Sequence, residues 1–565
     1  MWQTDKLSAD PQASLHELKE KTTAFETWRA KLTDISSDDF KQLVQEYSEL
    51  MDLLSRISAY AKLNVDANTK DDDARALLST VQQVVSETHN KMRFFTHWWK
   101  DLDDVTQLLP VLQENQYVFE HMRALREHTL SEEVENVISL KNTTGTAALN
   151  SIYGIVDSRL VYEFAGEELV DEQIRAKFSD PDPTVRKNAY DTFYKTRKPE
   201  RDVFAEIYKN IVLNWENERK LRGYSSAINI RNKANDLPDA VVEQHLAACR
   251  EAAPLWQRYF ALKEKILGRK LTRYDVYAPL ADVEQEYTYD DALQLTLDAF
   301  KGFSPKLHEA AVEIYEGGFV DELPRKNKRG GAFCWGVTRE LPPFLMYNFT
   351  GKLRDVSTIA HETGHGVHHQ LCRQLPVLSC DHALPIAETA SVFAEMLLTE
   401  KLMRDDPSLK QMLLAQKLDD MYATIGRQSF FVLFEQEAHE LFVAGKTTDD
   451  VSAAYMQNLK EQFGEMEIPA QFKDEWLGIP HFFNWPFYCY SYSFGNLLTL
   501  ALYQKYREEG EAFVPKYEAF LAAGETKSPI DLCNEIGVDI STKEFWKSGF
   551  ALIEEMLTEL EALVE

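Results

Sequence analysis

Apolar residues recur at helical spacing through most of this chain, with proline and glycine scarce between them, a pattern that leaves room for little but long helices. From Ser14 to Leu32 the repeat is carried by Leu15, Leu18, Phe25, Trp28 and Leu32. From Asp38 to Ala67 it is carried by Phe40, Leu43, Tyr47, Leu50, Leu53 and Leu54, and a third run extends from Asp71 to Leu109, just before Pro110. The pattern breaks over residues 150–167, where the alternation of Ser158 to Phe164, closed by Gly166, predicts a short strand. Asp180-Pro181-Asp182-Pro183 cannot be helical inside and marks the best boundary, after which Thr184 opens another helical pattern. A second strand-rich patch lies at 329–350: Gly330 to Val337, a turn through Pro343, then Phe344 to Phe349 as a partner strand. Helices dominate again from residue 384 to the end. We therefore expect a mainly α fold with an N-terminal helical lobe over 1–180 and a second domain over 181–565.

The remaining global features exclude several classes of function. The chain has 565 residues, enough to bury a substantial core. Its 91 acidic and 62 basic residues leave a net charge of −29, which disfavours a nucleic-acid partner, whose phosphates attract a basic face. That acidity serves solubility, and it would also favour cationic peptides. The six cysteines are sparse, and no C-x-x-C pair occurs among them, so a disulfide framework is not expected. The N-terminus lacks the apolar core of a signal peptide, and no apolar run is long enough to span a bilayer. A cytoplasmic protein with no membrane partner is expected; its oligomeric state stays open.

Directly after the predicted hairpin comes His361-Glu362-Thr363-Gly364-His365, an H-E-x-x-H motif in a helical segment that Asp355 or Ser357 can cap. Residues four apart share a helix face, so His361 and His365 can both reach one Zn²⁺ while Glu362 stays beside it, free to accept a proton from the attacking water. A catalytic zinc needs a third protein ligand and an open position. Glu388 starts a returning helix in the segment Leu384-Pro385-Ile386-Ala387-Glu388, with Pro385 in its first turn, and is the preferred third ligand; Glu395, two turns on, is the reserve. His368, His369 and His382 have no ligand spacing and are expected to be structural. Gly364 and Gly366 each cost a helix up to ~1 kcal/mol against alanine, which implies the close approach of another backbone or of substrate. Farther on, His481, Tyr488, Tyr490 and Tyr492 crowd one aromatic run that can supply hydrogen-bond donors to a developing oxyanion.

These features together resemble the oligoendopeptidase F family of zinc metallopeptidases, relatives of thimet oligopeptidase and neurolysin. The resemblance rests on the segment from Asp355 to Gly366, the segment from Glu388 to Glu395, the 330–349 hairpin and the 481–492 aromatic run. It implies two helical lobes around a deep substrate channel, with a small β-sheet beside the zinc. It implies one Zn²⁺ per chain held by His361, His365 and Glu388, with Glu362 as general base. His481, Tyr488 and Tyr492 match groups that contact the cleaved bond, with Tyr490 behind them on the substrate side. Gly331, Ala332 and Phe333 match a strand edge that pairs with substrate backbone. A deep channel admits short unstructured peptides and excludes folded proteins, so an endopeptidase of oligopeptides is implied. A carboxypeptidase of similar helical type is the alternative; it needs a cation for the terminal carboxylate, for which Arg354 and Arg427 are available.

Overall fold

The computed structural model of the protein describes residues 2–280 and 286–564. It is mainly helical, as the periodicity requires, with five short strands: β1 (Tyr162–Phe164), β2 (Glu167–Leu169), β3 (Val320–Asp321), β4 (Phe333–Trp335) and β5 (Phe344–Met346). No helix among the described residues is long and apolar enough to cross a membrane.

The chain packs as two compact units, each assembled from three separate segments. One gathers residues 1–132, 284–404 and 505–539; the other gathers 133–283, 405–504 and 540–565. This grouping departs from the expected division at residue 180. Lys177–Ser179 is a 3₁₀ turn, and Pro183 then opens the helix Pro183–Arg197, so the proline-rich stretch separates two elements of one unit.

In the first unit, the helices Pro11–Glu26, Ser37–Ala67 and Asp72–Asp101 begin at side-chain caps from Asp10, Ser36 and Asp71. Their apolar faces close over Phe25, Phe40, Leu43, Phe95 and Trp99. The third helix ends at Asp101 rather than near Pro110, and a short helix over Leu109–Leu112 takes Pro110 in its first turn. The small sheet has the order β3-β5-β4. β4 and β5 pair antiparallel with Cys334 opposite Leu345, as the expected hairpin requires. β3 adds in parallel on the far side of β5; its two residues are too few to show a sequence pattern. Trp2 ties the chain start to this sheet by donating its indole N–H to the Leu345 carbonyl at 2.8 Å.

In the second unit, β1 and β2 form an antiparallel hairpin turned at Ala165-Gly166, both with positive φ. The strand begins at Tyr162 rather than Ser158, because residues up to Ser158 belong to the helix Thr146–Ser158. Buried ion pairs lock the surrounding helices: Arg186 with Asp275 at 2.7 Å, Arg273 with Glu475 at 2.6 Å, and Lys263 with Asp419 at 2.6 Å.

Candidate metal and catalytic site

The motif lies in the helix Leu353–Cys372. Asp355, inside its first turn, accepts from the backbone N–H groups of Thr350 (2.8 Å) and Lys352 (3.2 Å) and thereby fixes the helix start; Ser357 does not cap it. Val356, Ile359 and Ala360 bury one face, leaving the His361 and His365 rings side by side at 4.8 Å. On the back of the helix, Tyr315 Oη lies 2.5 Å from Thr363 Oγ1 and 3.0 Å from Tyr347 Oη, which ties the motif to the sheet. Neither tyrosine belongs to a motif, and sequence reasoning passed over both.

A third donor comes from a returning helix. A 3₁₀ turn over Leu384–Ile386, containing Pro385, leads into the helix Glu388–Asp405. Glu388 Oε2 lies 3.5 Å from His361 Nε2 and 3.6 Å from His365 Nε2. What allows this approach is Gly364. A Cβ at that position would fall 2.5 Å from the Ala390 carbonyl oxygen and 2.6 Å from Ser391 Cα, so the two helix backbones cross in contact there. Gly366 faces a side chain instead, with Ile314 Cδ1 2.6 Å from the same construction. Tyr517 donates to the Thr389 carbonyl at 2.9 Å and anchors the start of the second helix.

The spacing of these donors suits a divalent ion. One donor atom from each of His361, His365 and Glu388 lies within 4.8 Å of the others. Bonds of about 2.0–2.1 Å in a tetrahedron place neighbouring donors roughly 3.4 Å apart, close to the separations found. Glu395, the reserve for the third donor, stands outside this cluster. Its Oε1 is 2.7 Å from His361 Nδ1, the ring nitrogen turned away from Glu388, where it fixes the ring's tautomer and orientation. Ser391 donates to Glu388 Oε2 at 2.7 Å. His368 stacks on His382 at 4.0 Å, and His369 packs against Gly336; neither joins the donor cluster.

Electrostatics separate the four groups. Burial pulls His361 down, but its hydrogen bond to Glu395 and the charges of Glu388 and Glu395 outweigh that and raise it to about 10. His365 is lowered to about 4 by burial, despite Glu388. Glu362, buried and close to Glu388 and Glu395, is pushed up to about 7, against the pull of His361. Glu388 opposes its own burial through the two histidines and Ser391 and ends below the ordinary range. A carboxyl poised near neutrality beside a donor triad can both take and return a proton.

β4 is an edge strand of its sheet, so one side of Phe333–Trp335 has no strand neighbour among the described residues. Gly331, at φ +80°, turns the chain into it, and Asn348 holds that turn by donating to the Gly331 carbonyl at 2.8 Å. Ala332 follows, and the Phe333 ring tilts against Trp2 at 5.9 Å.

The aromatic run lies in the second unit. His481 sits on the short helix Pro480–Asn484, and Tyr492 lies in the first turn of Tyr490–Glu509. His481 Nε2 is 3.3 Å from Tyr492 Oη, and Tyr488 stacks parallel to the imidazole at 6.1 Å and edge-on to Tyr492 at 5.3 Å. Burial and the charge of Arg427 lower His481, so its ring is neutral and donates from one nitrogen. Tyr490 departs from the expectation of a substrate contact. It is fully buried and accepts from Asn235 Nδ2 at 2.8 Å. Arg427 is also committed, paired with Glu475 at 3.3 Å and packed over Phe431.

Comparisons with known proteins show what the chain as a whole is similar to. The sequence profile of Peptidase family M3 matches residues 177–552, and that of Oligopeptidase F matches 100–162. The group B oligopeptidase PepB of Streptococcus agalactiae is 27% identical over 94% of this chain and 91% of its own. The oligopeptidase PepF of Bacillus subtilis is 27% identical over 97% of this chain and 84% of its own. The crystal structure of oligoendopeptidase-F from Enterococcus faecium superposes with a TM-score of 0.73 at 22% identity, covering 98% of each chain.

Proposed function

Since the chain belongs to peptidase family M3 and is a metallo-oligopeptidase, we propose that it is a zinc-dependent endopeptidase cleaving internal bonds of short, unstructured peptides. The observation that carries this reading is the convergence of His361, His365 and Glu388, with the buried Glu362 carboxyl on the same helix. These three residues would hold the ion, and Glu395 would orient His361 on it. When bound, zinc supplies Lewis-acid polarisation of the scissile carbonyl and lowers the pKa of water.

The chain's own groups supply the rest. Glu362 accepts the proton of the attacking water and returns it to the leaving amine, a task suited to a carboxyl near neutrality. The free edge of β4, entered through Gly331 and Ala332 and continuing at Phe333, pairs with the peptide backbone; this gives affinity with little demand on side chains. His481, Tyr488 and Tyr492, grouped in the second unit, are the residues that the family resemblance assigns to hydrogen-bonding the oxyanion. Of the two arginines available for a terminal carboxylate, Arg427 is already paired with Glu475 at 3.3 Å, which weighs against the carboxypeptidase reading on that side.

Peptides blocked at both ends test the cleavage mode: they are cut internally, and their resistance would leave only the carboxypeptidase. Glu362→Gln tests the chemistry. We expect kcat to fall at least ~10²-fold with zinc content unchanged; cleavage at full rate would refute the assignment.

A further inference from the structure

The second unit holds a cavity that the proposed reaction does not use. It measures about 660 Å³, inside the range of roughly 300–1,000 Å³ that small-molecule sites occupy. Its walls come chiefly from the end of the helix Pro183–Arg197, the start of Arg201–Leu221 and the 3₁₀ segment Ala470–Gly478, all in that unit. His361, His365 and Glu388 belong to the first unit. The rings of Phe193, Tyr194 and Phe204, together with Leu477, give the cavity an apolar side.

Charge sets this cavity apart from the rest of the chain. Five basic and three acidic side chains line it, whereas acids outnumber bases 91 to 62 overall. All three acids are committed. Asp191 pairs with Lys187 at 2.5 Å and accepts from Tyr274 Oη at 2.9 Å. Asp474 accepts from Arg201 Nε at 3.1 Å and from Ser452 Oγ at 2.6 Å. Asp449 accepts from Arg201 Nη2 at 2.7 Å and lies 3.9 Å from the Lys473 ammonium. Arg197 is paired with Asp157, which is not part of the lining. Lys195 and Lys198 remain. They lie three residues apart, where the helix passes into the 3₁₀ turn Lys198–Glu200. Neither ammonium has a hydrogen-bond or ion-pair partner among the described residues. Two uncommitted cations beside aromatic rings attract an anion, and the rings reward one that carries a flat apolar body.

We propose that this cavity binds aromatic carboxylates, the chemistry of a peptide end whose last residue is aromatic. The carboxylate meets Lys195 and Lys198, and the aromatic body packs on the side formed by Phe193, Tyr194 and Phe204. Neither contact involves the metal donors, so the site stands or falls apart from the reaction proposed above.

Calorimetric titration of the zinc-loaded full chain with N-acetyltryptophan tests the site. We expect one site per chain with a Kd on the order of 0.1–1 mM. N-acetyltryptophanamide, which keeps the ring and loses the charge, should bind about tenfold more weakly. Lys195→Gln and Lys198→Gln together, both at exposed positions, should weaken N-acetyltryptophan by about the same factor. Ala470→Trp, exposed and part of the lining, should fill the space and abolish binding. Removing zinc with a chelator should leave the affinity unchanged. Absence of saturable binding overturns the proposal. So does an amide that binds as tightly as the acid, or full affinity in either the double-glutamine or the tryptophan variant. Loss of binding on chelation would move the ligand to the donor triad and overturn it as well.

Discussion

Replacing Gly364 with alanine should uncouple metal binding from folding. In an isolated helix the change is favourable by up to ~1 kcal/mol. Here the new methyl carbon falls 2.5 Å from the Ala390 carbonyl oxygen and 2.6 Å from Ser391 Cα, both backbone atoms of the helix that carries Glu388. Ordinary contact needs roughly 3.4 Å or more, so the helices must separate by about 1 Å. Overpacking of this kind costs ~1–3 kcal/mol, which the propensity gain partly offsets, and the net loss of stability is at most about 2 kcal/mol.

The metal feels the shift far more. The Glu388 oxygen already stands 3.5 and 3.6 Å from the two imidazole nitrogens. A further ~1 Å takes it outside the span of a tetrahedron with bonds near 2.0–2.1 Å. Zinc affinity, read by competition with a fluorescent chelator, should fall by at least ~10²-fold, beyond the 10–100-fold typical of losing an outer-shell partner, while the melting temperature drops only a few degrees. Gly154 is the control: it is exposed in the helix Thr146–Ser158, and an added Cβ meets nothing within 4 Å. Alanine there should stabilise the fold slightly and leave zinc binding alone. A Gly364→Ala protein that holds zinc within about threefold of the parent would refute the crossing as the cause of the site geometry.

Further outcomes follow from the donor triad and from the aromatic run. Glu395→Gln removes the carboxylate from His361 Nδ1 and should weaken zinc binding ~10–100-fold with little change in melting temperature, read by the same competition assay. Because His361 is raised to about 10, the chelator-treated protein holds a proton on that ring at pH 8, and zinc must displace it. Calorimetry in buffers of different ionisation enthalpy should then show about one proton released per ion, and affinity should fall with falling pH; release of none would exclude the assignment. The same raised group stabilises the metal-free fold fully below the unfolded imidazole value near 6.5, and that contribution is lost as pH rises through about 10. Tyr490→Phe deletes a buried hydrogen bond to Asn235 and should cost about 1 kcal/mol of stability without changing kcat, whereas Tyr492→Phe should lower kcat and spare stability.

What the sequence made legible was local, or could be completed by one helical return. The four-residue spacing of His361 and His365 sets their shared face, and the two glycines implied the close approach of another backbone or of substrate, which Gly364 meets as the backbone of the Glu388 helix and Gly366 as the Ile314 side chain. Glu388 was reachable because the chain turns once and comes back. The orientation of the tyrosines was not local. Tyr488, Tyr490 and Tyr492 alternate in the sequence, but a helix begins at Tyr490, so strand-like alternation does not apply, and the inward ring is chosen by Asn235, 255 residues away. The grouping of segments was equally hidden. Residues 505–539 return to the first unit through Tyr517 on the Thr389 carbonyl and Leu521 accepting from the Cys372 thiol.

Those returning contacts explain how donors spread over 28 residues are held together. Gly364 lets the two helices touch, but a contact alone leaves them free to slide, and a slide of one residue would carry Glu388 about 1.5 Å along its axis. Three ties restrict that slide. Tyr517 grips the second helix at its first turn, Cys372 pins the end of the motif helix to the same returning segment, and the Tyr315-Thr363-Tyr347 cluster fixes the motif helix to the sheet. The sheet, earlier in the chain, and the returning segment, later in it, thus hold the two donor-bearing helices between them. The arrangement of the three donors is therefore set by the packing of the protein itself.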